Sequence, residues 1–410
     1  MRQIFTSIDI GSDSIKVVVG ELYKNKLNLL AAVKTPSIGI KKGLITDGNA
    51  AADSIKRALK EAEEMIGFKI NKVLVNVPSY MAEFVVSKGE INIDHENKKV
   101  TLEDMENVRK KSIKNKTVSE KEYVTDLVID YSVDDKTKIS NPKGYVGDVL
   151  KVRTLVVTVP KKNIYSVVKV LELLGVEVVD VSIGSIGDMA TFKTKEMSET
   201  LTAIINIGYE TTSIGIYNKG IIIKQSILPT GGLNIDKDLS YIYKISMKDA
   251  ENLRKNFALA HKRNANVDHV YTIQNKFGEP VKINEVESSE IIMARIEDIL
   301  TKARTEINNL LNKDMEYVLV TGGVSNMRDF DYIVSDIFGK NSRIGNVKML
   351  GIRDNVYSSA LGMIIHFINE LKFNEKSYTM VEGAEDFSFI KKQNQNNDML
   401  KKVFDYIWGE

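Results

Sequence analysis

The chain has 410 residues, 43% hydrophobic and 27% charged, the balance of a soluble globular protein with about two to four domains. Basic residues exceed acidic ones by only two, so bulk charge points to no nucleic-acid partner. No cysteine is present, which excludes disulfides and thiolate metal sites; His95, His261, His269 and His366 show neither metal spacing nor a hydrolase triad.

The N-terminus enters a strand directly, with no signal-peptide pattern, and no run reaches the roughly 18 apolar residues that span a bilayer. Cytoplasmic residence is the expectation. Residues 6–21 read as strand, tight turn, strand: Ile8 and Ile10, then Ile15, Val17 and Val19, alternate with polar neighbours. Gly11 lets a ligand approach the backbone. Ser12 and Ser14 offer hydroxyls and N–H groups to an anion, Asp9 places a carboxylate where Mg²⁺ or its waters would sit, and Lys16 returns a positive charge. Strands fill residues 3–34, Asp47 opens a helix that stops at Gly67, and residues 72–78 form a buried strand.

From residue 84 the texture changes. Phe84–Val86 and Ile91–Ile93 read as two short strands, Thr101 caps a helix with Asp104 three residues on, and residues 121–160 add strands around Asn-Pro and Lys-Gly turns. An inserted α+β subdomain over 84–160 is expected. A helix over 161–174, a strand over 176–181 and a short helix after Gly184 connect to a second half. That half repeats the opening device: Ile205-Asn206-Ile207-Gly208 matches Ile8-Asp9-Ile10-Gly11, with Thr211 and Thr212 in place of the serines.

Gly231 and Gly232 precede helices over 233–262, where Ser246 and Asp249 form a capping box that sets Glu251 and Arg254 on one face. Residues 263–283 read as a hairpin turning at Phe277–Pro280, and a long helix spans 285–312. The strand 317–321 then meets Gly322-Gly323-Val324, with Ser325 in an N-cap position before a helix. A helix from Asp354 to Leu371 closes the core. Residues 373–397 are polar and read as a flexible linker. In the tail, Met399, Leu400, Val403, Phe404, Ile407 and Trp408 fill one half of a helical wheel, opposite Lys401, Lys402 and Asp405. Trp408 is the only tryptophan and suits a membrane interface.

Two x-Gly hairpins and a strand-Gly-Gly junction, in this order, resemble the phosphate and adenosine loops of the actin-like ATPase superfamily. Gly43-Leu44-Ile45-Thr46-Asp47, residues 141–147, Leu228–Gly232 and the tail are similar to the FtsA family of bacterial cell-division proteins. The resemblance implies an α/β, two-lobed actin-like fold with duplicated ribonuclease-H-like domains, an inserted α+β subdomain and a C-terminal amphipathic helix. Its divisions would be 1–83 with 161–192, 193–229 with 301–354, a small lobe at 230–300, and a hinge helix at 355–372. The linker at 373–397 would precede a membrane-targeting helix at 398–410.

The resemblance also implies ATP and Mg²⁺ held by Asp9, Gly11, Ser12, Asp13, Ser14 and Lys16 on one side. Asn206, Gly208, Thr211, Thr212, Gly231, Gly232, Glu251, Arg254, Gly322, Gly323, Val324 and Ser325 would hold the other. Asp9 would meet the metal through water. It further implies self-assembly into filaments, FtsZ binding, divisome contacts through the insert, and residence at the cytoplasmic face of the cell membrane. Two departures stand out. Residues 124–130 lack a His-x-x-Pro segment expected in many relatives. Asn206 stands where the superfamily normally has Asp, so slow or undetectable hydrolysis is expected, with Glu210 as a weak substitute. A soluble kinase or nucleotide switch of the same superfamily, or a pilus-assembly actin homologue, is the alternative.

Overall fold

The computed structural model describes residues 2–114, 120–311 and 315–381. The tail residues Met399–Trp408 lie outside the described residues. The chain opens with an antiparallel meander: β1 (Gln3–Ile10), β2 (Ser14–Tyr23) and β3 (Lys26–Pro36). The short β4 (Ile40–Lys41) and β5 (Leu44–Ile45) lead to α1 (Gly48–Ile66), whose first N–H groups are capped by the Asp47 carboxylate, and then to β6 (Lys72–Asn76).

The insert follows as β7 (Glu83–Asn92), α2 (Leu102–Ile113), β8 (Lys121–Val133), β9 (Lys136–Ile139) and β10 (Val149–Pro160). Then come α3 (Lys161–Leu173), β11 (Glu177–Ser182) and α4 (Gly184–Phe192). The second half contains β12 (Leu201–Ile207), β13 (Thr212–Asn218), β14 (Ile221–Leu228), α5 (Gly232–Tyr243) and α6 (Met247–Asn256). It continues with β15 (Val270–Gln274), β16 (Pro280–Asn284), α7 (Glu285–Leu310), β17 (Tyr317–Thr321), α8 (Phe330–Phe338) and β18 (Ser342–Ile344). The last described helix is α9 (Ser358–Phe373). None of the described helices is long and apolar enough to cross a membrane.

The two large sheets have one topology. The first runs β11-β6-β1-β2-β3 and the second β18-β17-β12-β13-β14, each with a parallel strand beside its leading strand and an antiparallel meander on the other side. Ile4, Phe5, Ile8, Val17 and Val19 are buried in the first core, and Ile205, Ile207, Ile214 and Val320 in the second. The insert forms a separate four-stranded sheet, β7-β10-β8-β9, with its own core around Met105, Val108, Tyr131 and Leu150.

Two local expectations are corrected. The insert opens with one ten-residue strand, β7, not two short ones. Gly89, which interrupts the apolar pattern, is where α2 lies against the strand: a Cβ there would come 2.2 Å from the Val108 carbonyl. Residues 374–381 also stay docked. Met380 N donates to Ile4 O (2.9 Å), Thr379 Oγ1 accepts from Ile4 N, and Met380 is buried, so no free linker starts at 373.

The halves are joined where α4 and α9 cross. Their backbones touch through two glycines: a Cβ on Gly362 would fall 1.7 Å from the Gly187 carbonyl oxygen, and one on Gly187 2.3 Å from Ser359 O. At its other end α9 holds the insert. Arg109 of α2 bonds both Asp126 (2.5 Å) and Glu370 (2.7 Å), with Lys143–Glu375 and Lys376–Glu106 beside them. Gly362→Val is expected to cost at least ~3 kcal/mol, since the clash is with backbone, and urea denaturation measures it.

Near that cluster Asp180 is mostly buried, and desolvation first, then Glu370, push its carboxyl up to about 6 from 3.8. The folded state therefore holds a proton between those values that the unfolded chain releases, and this group adds stability as pH falls from 7 toward 4. Asp180→Asn should raise the melting temperature at pH 8, and the gain should be roughly halved by pH 5 and gone only below about pH 3.8, as differential scanning calorimetry across that range would read.

Candidate functional site

A cleft of about 420 Å³ lies between the two hairpin turns. The turns are built alike. Gly11 N donates to Ser14 O (3.1 Å), and Gly208 N donates to Thr211 O (2.9 Å). Each follows the end of a buried leading strand, so each sheet presents its turn at the same edge. The Ser14 hydroxyl is buried and has no partner among the described residues, although Ser14 lines the cleft. Ser37 Oγ donates to the carbonyls of Gly11 and Ser12 and fixes the first turn, while Ser12 Oγ accepts from Gly43 N (2.9 Å).

Charge is layered around this space. Asp9 and Lys16, paired across β1 and β2, form an ion pair at 3.1 Å. Lys34 reaches the same wall. Burial, then Lys255 across the cleft, lowers its pKa, while Asp13 and Asp354 act the other way. Lys16, Lys34 and Lys255 thus line one cleft from both halves, with Asp9, Asp13, Glu210 and Asp354 among them. This arrangement suits a polyanion that brings a cation. Burial holds the Tyr209 hydroxyl neutral, its pKa raised further by Asp236 and Glu251.

Of the sequence-predicted residues, the structure brings Asp9, Gly11, Ser12, Asp13, Ser14, Lys16, Asn206, Gly208, Thr211, Arg254, Gly322, Gly323 and Val324 to the cleft. Others stand behind it. Thr212 Oγ1 donates to Thr230 O and pins the segment that follows β14. Gly232 N bonds Gly208 O, and Gly231 packs against the carbonyls of Gly208 and Tyr209, which together support the second turn. Ser325 Oγ turns back to Gly322 O inside a short 3-10 turn, and Asp329, not Ser325, precedes α8. Glu251 bonds Lys255 one turn on. Arg254 is committed to Asp236 through two bonds (2.6 and 3.1 Å), both side chains being buried. Glu210, the candidate carboxylate, accepts from the backbone N–H of Lys42 across the cleft.

Sequence reasoning missed Lys34, Gly43, Tyr209, Lys255, Asn326, Met327, Asp354 and Val356. Lys255 was signalled by its place beside Arg254 on a capped helix. Asp354 and Val356 are brought in by the return of the chain before α9 and carry no local motif.

The duplicated sheets and the cleft between them define the actin-like class, and solved structures agree. MreB5 of Spiroplasma citri bound to ADP matches with a TM-score of 0.55 at 17% identity, covering 92% of this chain and 99% of that one. The PilM-PilN type IV pilus biogenesis complex matches with a TM-score of 0.58 at 14% identity, over 88% and 98%. The family model described as "Cell division protein FtsA" matches residues 203–362, and that of the "SHS2 domain inserted in FTSA" matches 82–158; together they span more than half of the sequence. Cell division protein FtsA of Bacillus subtilis is 28% identical over 88% of this chain and 83% of its own length. That of Streptococcus pneumoniae is 28% identical over 94% and 84%. The chain belongs to the FtsA family.

Arg254→Met would leave the Asp236 carboxylate buried and unpaired, at a cost of roughly 3–5 kcal/mol. Replacing both, with Asp236→Leu, should recover most of that stability; chemical denaturation of the two variants reads the difference.

Proposed function

We propose that this chain is an ATP-binding, actin-like cell-division protein that assembles in rows at the cytoplasmic face of the cell membrane and ties FtsZ filaments to it. The observation that carries the reading is the pair of hairpin turns sharing one hydrogen-bond pattern and facing one cleft lined by lysines from both halves. The fit to a nucleotide rests on the Ser14 hydroxyl, which has no partner among the described residues, and on those three ammonium groups, which a chain of phosphates would neutralise. Asp9, Ser12, Ser14 and Lys16 would hold phosphates from the first half, Gly208 and Thr211 from the second, with Gly322, Gly323 and Val324 at the adenosine. Asp9 would hold Mg²⁺ through water. The cation, when bound, supplies charge neutralisation on the phosphates.

The division of labour follows the domain plan. The two actin-like domains bind nucleotide and stack into filaments, the insert over 84–160 contacts other divisome proteins, and the 230–300 lobe offers the FtsZ surface. The 398–410 segment lies on lipid. MamK, whose double helical filament is similar to this fold (TM-score 0.51, 14% identity), supports the filament reading. A single tail holds weakly: Lys391, Lys392, Lys401 and Lys402 are nearly offset by Asp398, Asp405 and Glu410, and ordering about ten residues costs roughly 1 kcal/mol or more each. Linked tails gain about 10²–10⁴ in avidity, so assembly and attachment are coupled.

Liposome flotation of the full chain, and of a chain ending at Asn397, tests this. Flotation should need the tail and strengthen with ATP and protein concentration; no flotation under any condition would overturn the membrane role. Turnover at saturating Mg-ATP should stay below about 0.1 s⁻¹, under the range of about 1–10³ s⁻¹ typical of enzymes. A rate within that range would sink the slow-hydrolysis reading.

A further inference from the structure

Asp188 does not line the cleft, yet it lies fully buried at its base. The two hairpins share a register but differ in charge there. Asp9 faces Lys16 across its hairpin, whereas Asn206 faces Ser213. The first carboxylate is answered by the cation opposite it. The amide in the second finds its partner elsewhere: Asn206 Nδ2 donates to Asp188 Oδ2 (2.8 Å) and more weakly to Ser359 Oγ (3.4 Å). The other oxygen of Asp188 accepts from the hydroxyls of Ser358 (2.6 Å) and Ser359 (2.8 Å) at the start of α9. Among the described residues no cation pairs with Asp188. An ionised carboxylate only accepts hydrogen bonds, so the amide nitrogen must turn to it. Asn206 Oδ1 is left beside Gly322 at the cleft wall, with no donor among the described residues.

We propose that Asp188 is a positioning residue that locks the Asn206 amide with its oxygen toward the cleft, so that the second hairpin's negative charge sits behind the amide rather than on it. This rests on the nucleotide reading and deepens it. An amide oxygen there accepts hydrogen bonds from water or from the hydration shell of a divalent cation, which an NH₂ cannot do. It takes no proton, so binding of a nucleoside triphosphate is kept while activation of the attacking water is weak. Burial, Asp188's largest influence, together with the nearby Asp9, raises its pKa to about 6, while its three donors oppose the rise.

The test is a cycle of full-length proteins: wild type, D188N, N206D and the exchange D188N/N206D. Each is measured for melting temperature, for affinity toward Mg-ATP with a fluorescent ATP analogue, and for steady-state hydrolysis. D188N frees the amide and should weaken Mg-ATP binding by about tenfold, the size of one charge-assisted hydrogen bond. N206D sets two carboxylates in contact and should lower the melting temperature. The exchange should regain the wild-type melting temperature and hydrolyse ATP at least tenfold faster, the gain falling in kcat and not in KM. Additive effects of the two substitutions, or an exchange variant no faster than wild type, would overturn the proposal. If the wild type binds no Mg-ATP, the nucleotide reading falls. The melting cycle then decides the pair alone: strong coupling supports it, and additivity overturns it.

Discussion

Two helix backbones touch at Gly187 and Gly362, and the arrangement of the halves depends on that contact. α4 carries the chain out of the first sheet, and α9 brings it back. Any side chain at either glycine would push these crossings apart. The same contact sets the site. Asp188 lies one residue beyond Gly187, and Ser358 and Ser359 lie one turn before Gly362, so the buried carboxylate and its donors meet where the helices are closest. Thr191 Oγ1 on Ser358 O ties α4 to α9, and Ser7 Oγ on Ala360 O fastens α9 to β1. α9 then extends to the insert, where Glu370 holds Arg109. One helix thus touches the cleft at its first turn and the third sheet at its last.

The duplication is close in backbone and incomplete in chemistry. Sheet order, turn hydrogen bonds and strand register repeat between the halves. The side chains at the repeated positions do not. The first turn carries a charge pair and serine hydroxyls; the second carries an amide, threonines and a carboxylate borrowed from a helix. A fold built twice can therefore hold one ligand asymmetrically, because backbone donors are set by the turn and charges by individual residues.

How much was legible in the sequence follows from range. The hairpin turns, the Asp47 cap, the Thr101–Asp104 box and the long α7 are local patterns, and the structure has them where the periodicity placed them. The strand-Gly-Gly junction was legible too, though Ser325 serves the turn itself rather than the helix beyond it. Gly89 misled because glycine inside an apolar run signals a break, and the approach of α2 that requires it is a tertiary fact. Lys34, Asp354 and Val356 reach the cleft from segments with no motif. Arg254 was placed on the correct face of α6, but its commitment to Asp236 depends on α5 packing beside it. The polar composition after α9 hid the docking of residues 374–381, where Met380 is buried beside β1, Tyr378 and Val381 pack on the same core, and Ile4 bonds both Thr379 and Met380.

The cover that α9 provides has a consequence for the order in which the protein matures. Phe5 and Ile8 share a core with Leu361, Ile364 and Ile368, and Phe5 stacks edge-on against Phe367 (5.9 Å between centroids). The strands of the first sheet are all synthesised by Ser182, yet the helix that covers them comes only after the whole second half. At about 5–20 residues per second, residues 183–357 take roughly 10–35 s to emerge. During that time the first sheet has one apolar face without the helix that covers it. The second half, whose ends leave side by side at the crossing, can close on itself first. The first lobe is thus made before the second and completed after it, because the α9 face of its core has no cover until α9 emerges.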